Sequence, residues 1–265
     1  MPKGEPLKIA VCVRRVPDTA EALVKVDPSG KDIVRDKLAF TVNESDNYAL
    51  EEALLTKDNA GAEVTVISVG PRESVEVLRM GLAKGAAAAV RLDDAELANA
   101  DAQVLARVLA AYLRTESFDL VFTGCIASDT EDSQVGPALA QALGWPHAAY
   151  VTKLEVKDGS VLVKRELEGG VLEVEELSGQ SVISFQTGGN SPRYASIMGI
   201  KRAAAKPISD TAVANLGVGP AELEPRTTVE RLYVPEVSGA AEMLDGTVEE
   251  KAGKLAGILK DKGLV

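Results

Sequence analysis

Residues 118–141 read Phe118-Asp119-Leu120-Val121-Phe122-Thr123-Gly124, then Cys125-Ile126-Ala127-Ser128-Asp129-Thr130-Glu131-Asp132-Ser133-Gln134-Val135-Gly136-Pro137, then Ala138-Leu139-Ala140-Gln141. Residues 118–123 form a short apolar run, which predicts a buried strand ended by Gly124. Val135, Ala138, Leu139, Ala142 and Leu143 recur at helical spacing. Proline is tolerated only in the first turn of a helix, so Pro137 places the start of that helix near Ser133 to Gly136. The amides of Gln134, Val135 and Gly136 then lack helical acceptors and face the end of a strand, an arrangement that suits an anion such as a nucleotide phosphate. The same strand–loop–helix pattern also occurs where nothing binds.

Outward from that stretch, the N-terminal half alternates strands with helices. Residues 8–14 and 63–69 are predicted strands, and Ala88 to Leu92 a short third one. Asn43, with Asp46 three residues on, is placed to cap a helix whose apolar face is Leu50, Ala53 and Leu54, leaving Glu51 and Glu52 to look outward. Val75, Leu78 and Leu82 mark the next helix. Val104, Leu105, Val108, Leu109 and Tyr112 mark a strongly amphipathic one. This alternation predicts a parallel sheet covered on both faces, with a ligand beyond the carboxyl ends of the strands at 14–19, 69–72 and 124–134.

After Trp145 the pattern changes. Tyr150 to Val156, Val161 to Leu167 and Val171 to Leu177 alternate, with turns at Lys157-Asp158-Gly159-Ser160 and Gly169-Gly170, which is hairpin chemistry. Val182 to Phe185 rejoins the sheet. Pro192 to Lys206 holds four basic residues and reads as a loop, and 207–246 shows little periodicity. Thr247 and Glu250 form a capping box for a last helix with Leu255, Ile258 and Leu259 on one face. The expected division is an α/β domain with its hairpin extension over 1–206 and a C-terminal arm and helix over 207–265, the arm either docking on a partner or packing as an appendage.

The net charge of −11 leaves no broad basic field, which argues against nucleic acid as the main partner. No apolar run is long enough to span a bilayer, so an integral membrane protein is not expected. The start, Met1-Pro2-Lys3-Gly4-Glu5-Pro6-Leu7-Lys8, has no apolar signal core, and the cytoplasm is the expected compartment. Cys12 and Cys125 are the two cysteines and read as small buried residues rather than a disulfide. His147, the one histidine, follows Trp145-Pro146 and reads as structural; no metal site and no nucleophile–histidine–acid set can be assembled.

The chain resembles the beta subunits of electron-transfer flavoproteins over nearly its whole length. Four stretches carry the likeness: Val13 to Thr19 after the first strand; Asn43 leading into Ala49-Leu50-Glu51-Glu52-Ala53; Gly124 to Pro137; and Lys164 to Gly170 with Ser191-Pro192-Arg193-Tyr194-Ala195-Ser196-Ile197. The resemblance implies a Rossmann-like, adenine-nucleotide-binding parallel-sheet domain with an antiparallel hairpin extension and a C-terminal docking arm. It implies a heterodimer in which an alpha subunit shares FAD with this chain, and a second nucleotide, AMP or FAD, held here alone. Electron carriage between dehydrogenases and a downstream acceptor follows, with no catalysis of the chain's own. Flavin-based electron bifurcation goes with the second FAD. The nucleotide would be lined by Cys12, Asn43, Asp46, Val69, Gly124, Cys125, Ala127, Asp129, Thr130, Ser133, Gln134, Val135 and Gly136, though Asp129 also reads as a helix-capping loop acid.

Glu166 would meet a cation on the alpha subunit. The segment 191–200, with Arg193 and with Ile197 as its apolar anchor, would dock dehydrogenases. The sequence departs from the family pattern at Cys125-Ile126, Thr130-Glu131-Asp132, Glu44-Ser45 and Gln180. An adenylating enzyme or a stand-alone adenine-nucleotide module of the same broad fold is the alternative. An adenylating enzyme calls for a Ser-Gly-Gly-type phosphate loop where this chain has Val13-Arg14-Arg15-Val16-Pro17-Asp18.

Overall fold

The computed structural model describes residues 6–20, 23–93, 97, 100–235, 239 and 241–265. The first five residues, read above for a missing signal core, lie outside that set. In chain order the elements are β1 (Lys8–Cys12), β2 (Arg15–Pro17), β3 (Phe40–Val42), α1 (Glu44–Ala60), β4 (Glu63–Val69), α2 (Val75–Lys84), β5 (Ala88–Asp93), α3 (Ala102–Leu113), β6 (Leu120–Gly124) and α4 (Val135–Leu143). The second half holds β7 (His147–Val156), β8 (Ser160–Glu166), β9 (Leu172–Ser178), β10 (Ser181–Phe185), α5 (Ile197–Ala205), β11 (Ser209–Ala212), α6 (Pro220–Leu223) and α7 (Val248–Asp261).

Nine strands form one sheet in the order β11-β5-β4-β1-β6-β10-β7-β8-β9. From β11 to β7 all neighbours pair in parallel, with Ile9 opposite Val64 on one side and Leu120 on the other. The pleat sends Ile9 and Val11 into a core shared with Leu50, Leu54 and Leu78 of α1 and α2. It sends Ala10 and Cys12 into a second core with Val104, Leu109 and Leu139 of α3 and α4. The expected doubly covered parallel sheet is therefore present. β7 changes partner midway: its start pairs in parallel with β10 and its end runs antiparallel to β8, which in turn carries β9. Gly169 and Gly170, at φ 72° and 75°, make the β8–β9 turn.

Two elements depart from the sequence expectation. Residues 197–205, read from the sequence as part of a loop, form α5. Its small residues Gly199 and Ala203 face inward while Ile197, Met198 and Ile200 face solvent. The helix is amphipathic, but its small residues rather than its large apolar ones face the core, so the apolar pattern points the wrong way. Ser209–Ala212, within the stretch without periodicity, is β11, an edge strand fastened by the ion pair of Arg91 with Asp210 at 2.7 Å. After it, Val213 is buried on α3, and no described residue beyond Val213 is buried. The C-terminal helix α7 keeps the predicted capping box of Thr247 and Glu250, and its whole surface, Leu255 and Ile258 included, lies outside the core. Among the described residues no helix is long and apolar enough to cross a membrane.

Candidate functional site

The order of strands reverses between β1 and β6: the chain builds outward from β1 to β4 and β5, then returns to place β6 on its other side. At such a switch point the connections leave in opposite directions and open a crevice at the carboxyl ends. A cavity of about 680 Å³ lies there. Its floor is Cys12, Thr123 and Gly124 at the strand ends, and one wall is the apolar group Ile67, Val69, Leu105 and Leu109. Loop 125–134 and the first turn of α4 close another side, and the short β2–β3 ribbon brings Arg15 and Phe40 to the mouth.

Asp46 ties this floor together. Its carboxylate accepts the amides of Arg14 at 2.8 Å and Gly124 at 2.9 Å, joining the ends of β1 and β6 to the first turn of α1. Gly124 is required by the closeness: a Cβ there would lie 2.4 Å from Asp46 Oδ1. Burial pushes the Asp46 carboxyl up to about 6, and the hydrogen bonds of the Arg14 amide, the Asn43 side chain and the Gly124 amide oppose that rise. Burial, assisted by Asp46, pushes the Cys12 thiol up to about 12, so Cys12 is an inert wall residue. Cys125 is also a free thiol, raised chiefly by burial.

Loop 125–134 is held open by unusual backbone. Glu131 and Ser133 adopt left-handed φ of 51° and 53°, sparsely populated for residues with a Cβ. Asp132 accepts the Gln134 amide at 3.4 Å, and the next amides enter α4. Asp129 was open to reading as a helix cap. It instead bridges to the Arg14 guanidinium at 2.7 Å, with both side chains on the cavity. Arg15 pairs with Glu76 at 2.8 Å and lies 3.6 Å over the Phe40 ring.

Of the thirteen residues named above for the nucleotide, all but Asn43 and Gly136 line this one cavity. Asn43 sits at the start of α1 but makes no side-chain cap. It donates to the carbonyl of Ile126 at 2.8 Å and accepts the Ser128 amide at 3.1 Å, fixing the loop from behind. Gly136 is buried just behind the cavity lining, where a Cβ would fall 2.1 Å from Ser184 Oγ and 3.2 Å from His147 Nε2 and Thr123 Oγ1. His147 is in β7, half-buried, with Nε2 2.9 Å from Ser184 Oγ. Burial, then Arg165, holds its imidazolium below the usual range. Among the described residues no carboxylate, thiol and imidazole cluster is fit to hold a metal ion.

Glu166, Arg193 and Ile197 do not reach the cavity. Glu166 is exposed at the end of β8 and accepts from Gln186 at 3.0 Å. Ile197 opens α5 with 86% of its surface exposed, beside Tyr194 at 98%. Sequence reasoning placed a ligand at 14–19 without singling out Arg15 and missed Phe40, which the β2–β3 ribbon delivers, and it set Glu51 and Glu52 on the outside of α1. Both glutamates are buried beneath residues 190–193: Glu51 pairs with Arg193 at 2.9 Å and Glu52 accepts from Asn190 at 2.9 Å. The guanidinium of Arg193 and the side-chain amide of Asn190 that cover them lie over a hundred residues downstream, beyond the reach of a helical pattern.

Residues 31–216 match the family described as electron transfer flavoprotein domain. The chain is 38% identical over 262 residues to the electron transfer flavoprotein subunit beta of Methylophilus methylotrophus, covering 96% of this chain and 98% of that one. It is 36% identical over 265 residues to the Caffeyl-CoA reductase-Etf complex subunit CarD of Acetobacterium woodii, covering 98% and 100%. It is 30% identical over 270 residues to the acryloyl-CoA reductase electron transfer subunit gamma of Anaerotignum propionicum, with the same two shares.

Proposed function

The chain belongs to the electron transfer flavoprotein family as one of its beta subunits and serves flavin electron transfer, and from that premise we propose that its own cavity holds an adenine nucleotide, AMP or a second FAD, while an alpha subunit shares the electron-carrying FAD with it. The observation that carries this reading is convergence: a loop, three strand ends and a helix start, distant in sequence, meet on one cavity at the topological switch point.

The residues fit such a ligand. The apolar wall of Ile67, Val69, Leu105 and Leu109 suits the face of an aromatic base. The first amides of α4 and the guanidinium of Arg14 suit a phosphate, the helix end by its unpaired N–H groups and Arg14 by charge. Asp46 and Asn43 do not need to touch the ligand; they hold Gly124 and loop 125–134 in register so that the amides point inward. Bound flavin supplies the electron chemistry, and the chain's part is to bind, orient and exclude water. Two relatives named with caffeyl-CoA and acryloyl-CoA reductases support a partner of the CoA-ester dehydrogenase or reductase class. The exposed Tyr194, Ile197, Met198 and Ile200 beside Lys201 and Arg202 are the surface proposed to meet it. The C-terminal stretch after Glu224, with its exposed helix α7, is proposed to embrace the alpha subunit, and Glu166 to meet a cation there.

The test is to co-purify the chain with an alpha-type partner, denature the complex and quantify released nucleotides by mass spectrometry. Two FAD per heterodimer, or one FAD with one AMP, is the expected result, and the first of these makes bifurcation the working activity. One FAD and no further adenine nucleotide would remove the proposed role of the cavity.

A further inference from the structure

The docking surface is carried by a segment whose shape is set from α1. Tyr48, Glu51, Glu52 and Asp58 form one stripe of that helix, opposite its core face of Leu50, Ala53 and Leu54. Every member of the stripe is bonded to residues 190–193. The Tyr48 carbonyl and Glu52 accept from the Asn190 amide group at 3.2 and 2.9 Å. Glu51, only 4% exposed, accepts the Arg193 backbone amide at 2.9 Å and its guanidinium at 2.9 Å, and Asp58 accepts from the same guanidinium at 2.9 Å. A backbone amide and a planar fork bonded to one carboxylate fix the main chain as well as the side chain.

The other end of the segment is equally constrained. Gly199 lets α5 approach α2 so closely that a Cβ would lie 2.3 Å from the Ala83 carbonyl oxygen. Arg79 donates to the Ala203 carbonyl at 2.6 Å and also to that of Lys206. Between these two fastenings stand Tyr194, Ile197 and Met198, all largely exposed. Burying a carboxylate for an ion pair adds little net stability, because desolvation offsets the attraction; what it does supply is one conformation rather than several. An apolar surface that is already in its bound shape loses less conformational freedom on association.

We propose that Glu51 is a positioning residue for electron-carrier docking: through Arg193 it holds residues 190–198 in the shape that presents Tyr194, Ile197 and Met198 to a CoA-ester dehydrogenase. The inference rests on the docking reading given above. It is tested in the complex with the alpha subunit by Glu51→Gln, which keeps the size of the side chain but replaces one acceptor by a donor facing Arg193. Deuterium uptake of amides 190–198 should quicken about tenfold. The KM for the carrier in reduction by an acyl-CoA dehydrogenase should rise about tenfold, with kcat and flavin content unchanged. Arg193→Gln, made from the half-exposed side of the pair, should do the same and serves if Glu51→Gln does not fold.

Unchanged deuterium uptake at 190–198 in both variants would overturn the proposal. So would faster uptake with an unchanged KM while Ile197→Ala raises KM, since docking would then not depend on the held shape. If neither Glu51→Gln nor Ile197→Ala moves KM, the docking reading itself fails and takes the proposal with it, a result separable from the second by the Ile197 variant.

Discussion

Asp46 Oδ1 accepts the backbone amide of Gly124 at 2.9 Å, and the same oxygen would lie 2.4 Å from a Cβ at position 124. One bond therefore explains both why the strand end needs a glycine and why the helix start needs an acid. Gly124→Ala must push Asp46 away or bend the end of β6. The expected loss is about 1–3 kcal/mol of stability, read from urea unfolding, together with weakened retention of the adenine nucleotide. A variant as stable as the wild type would show that the β6–α1 junction has slack the structure does not display.

Asp46 also gives a pH signature with an unusual sign. Its carboxyl, raised by burial from 3.8 to about 6, binds its proton more tightly in the folded chain than in the unfolded one. Stability from this group is therefore full below about pH 4 and is lost as pH rises through about 6. Asp46→Asn removes that titration, while its amide nitrogen is left facing one of the two backbone N–H groups. The wild type's advantage over Asp46→Asn should accordingly be larger at pH 4.5 than at pH 7.5. Unfolding curves at the two pH values decide it, and an advantage that grows with pH would mean the two amides outweigh desolvation.

Much of this architecture was legible because it is local. Residues 63–69 read as a strand and are β4; Thr247 and Glu250 read as a capping box and form one. Pro137 bounded the start of α4 to within a turn. What escaped is what depends on tertiary cover. Glu51 and Glu52 are charged residues on a helix, which the pattern sends to solvent, and only Arg193 and Asn190 make their burial tolerable. Helix α5 keeps its large apolar residues outside, so the face that an apolar pattern sends inward is the one left exposed. The cavity was located from strand ends alone, whereas the β2–β3 ribbon at its mouth, two three-residue strands, is too short to leave a periodicity.

Gly136 is confined by protein atoms independently of any phosphate its amide would meet. Its importance was expected from phosphate, yet the space a Cβ would need is held by Ser184 Oγ, with Thr123 and His147 beside it. Gly136→Ala should cost about 1–3 kcal/mol whether or not nucleotide is bound. Ser184→Ala removes the atom it meets, so the double variant should recover about 1 kcal/mol or more relative to additivity. A strictly additive double-mutant cycle would place the obstruction elsewhere, on the ligand side of α4.

Ile197 carries the most direct test of the surface reading. It opens α5 with 86% of its area exposed, so truncation leaves no cavity and removes no core contact. Ile197→Ala should therefore change unfolding free energy by no more than about 0.5 kcal/mol. The nucleotide held in the cavity should stay in place as well, because the residue is not on the cavity wall. Electron uptake from an acyl-CoA dehydrogenase is where the loss belongs. An aliphatic side chain seated in a partner's pocket commonly contributes about 1–2 kcal/mol, a roughly tenfold rise in KM. Lys201 and Arg202 follow on the same exposed helix, so neutralising them should lower the association rate and weaken its dependence on salt rather than abolish docking. Unchanged kinetics for Ile197→Ala alongside unchanged stability would leave the exposed apolar side chains of 194–200 without a role in electron uptake, and the dehydrogenase would then have to meet another face of the complex.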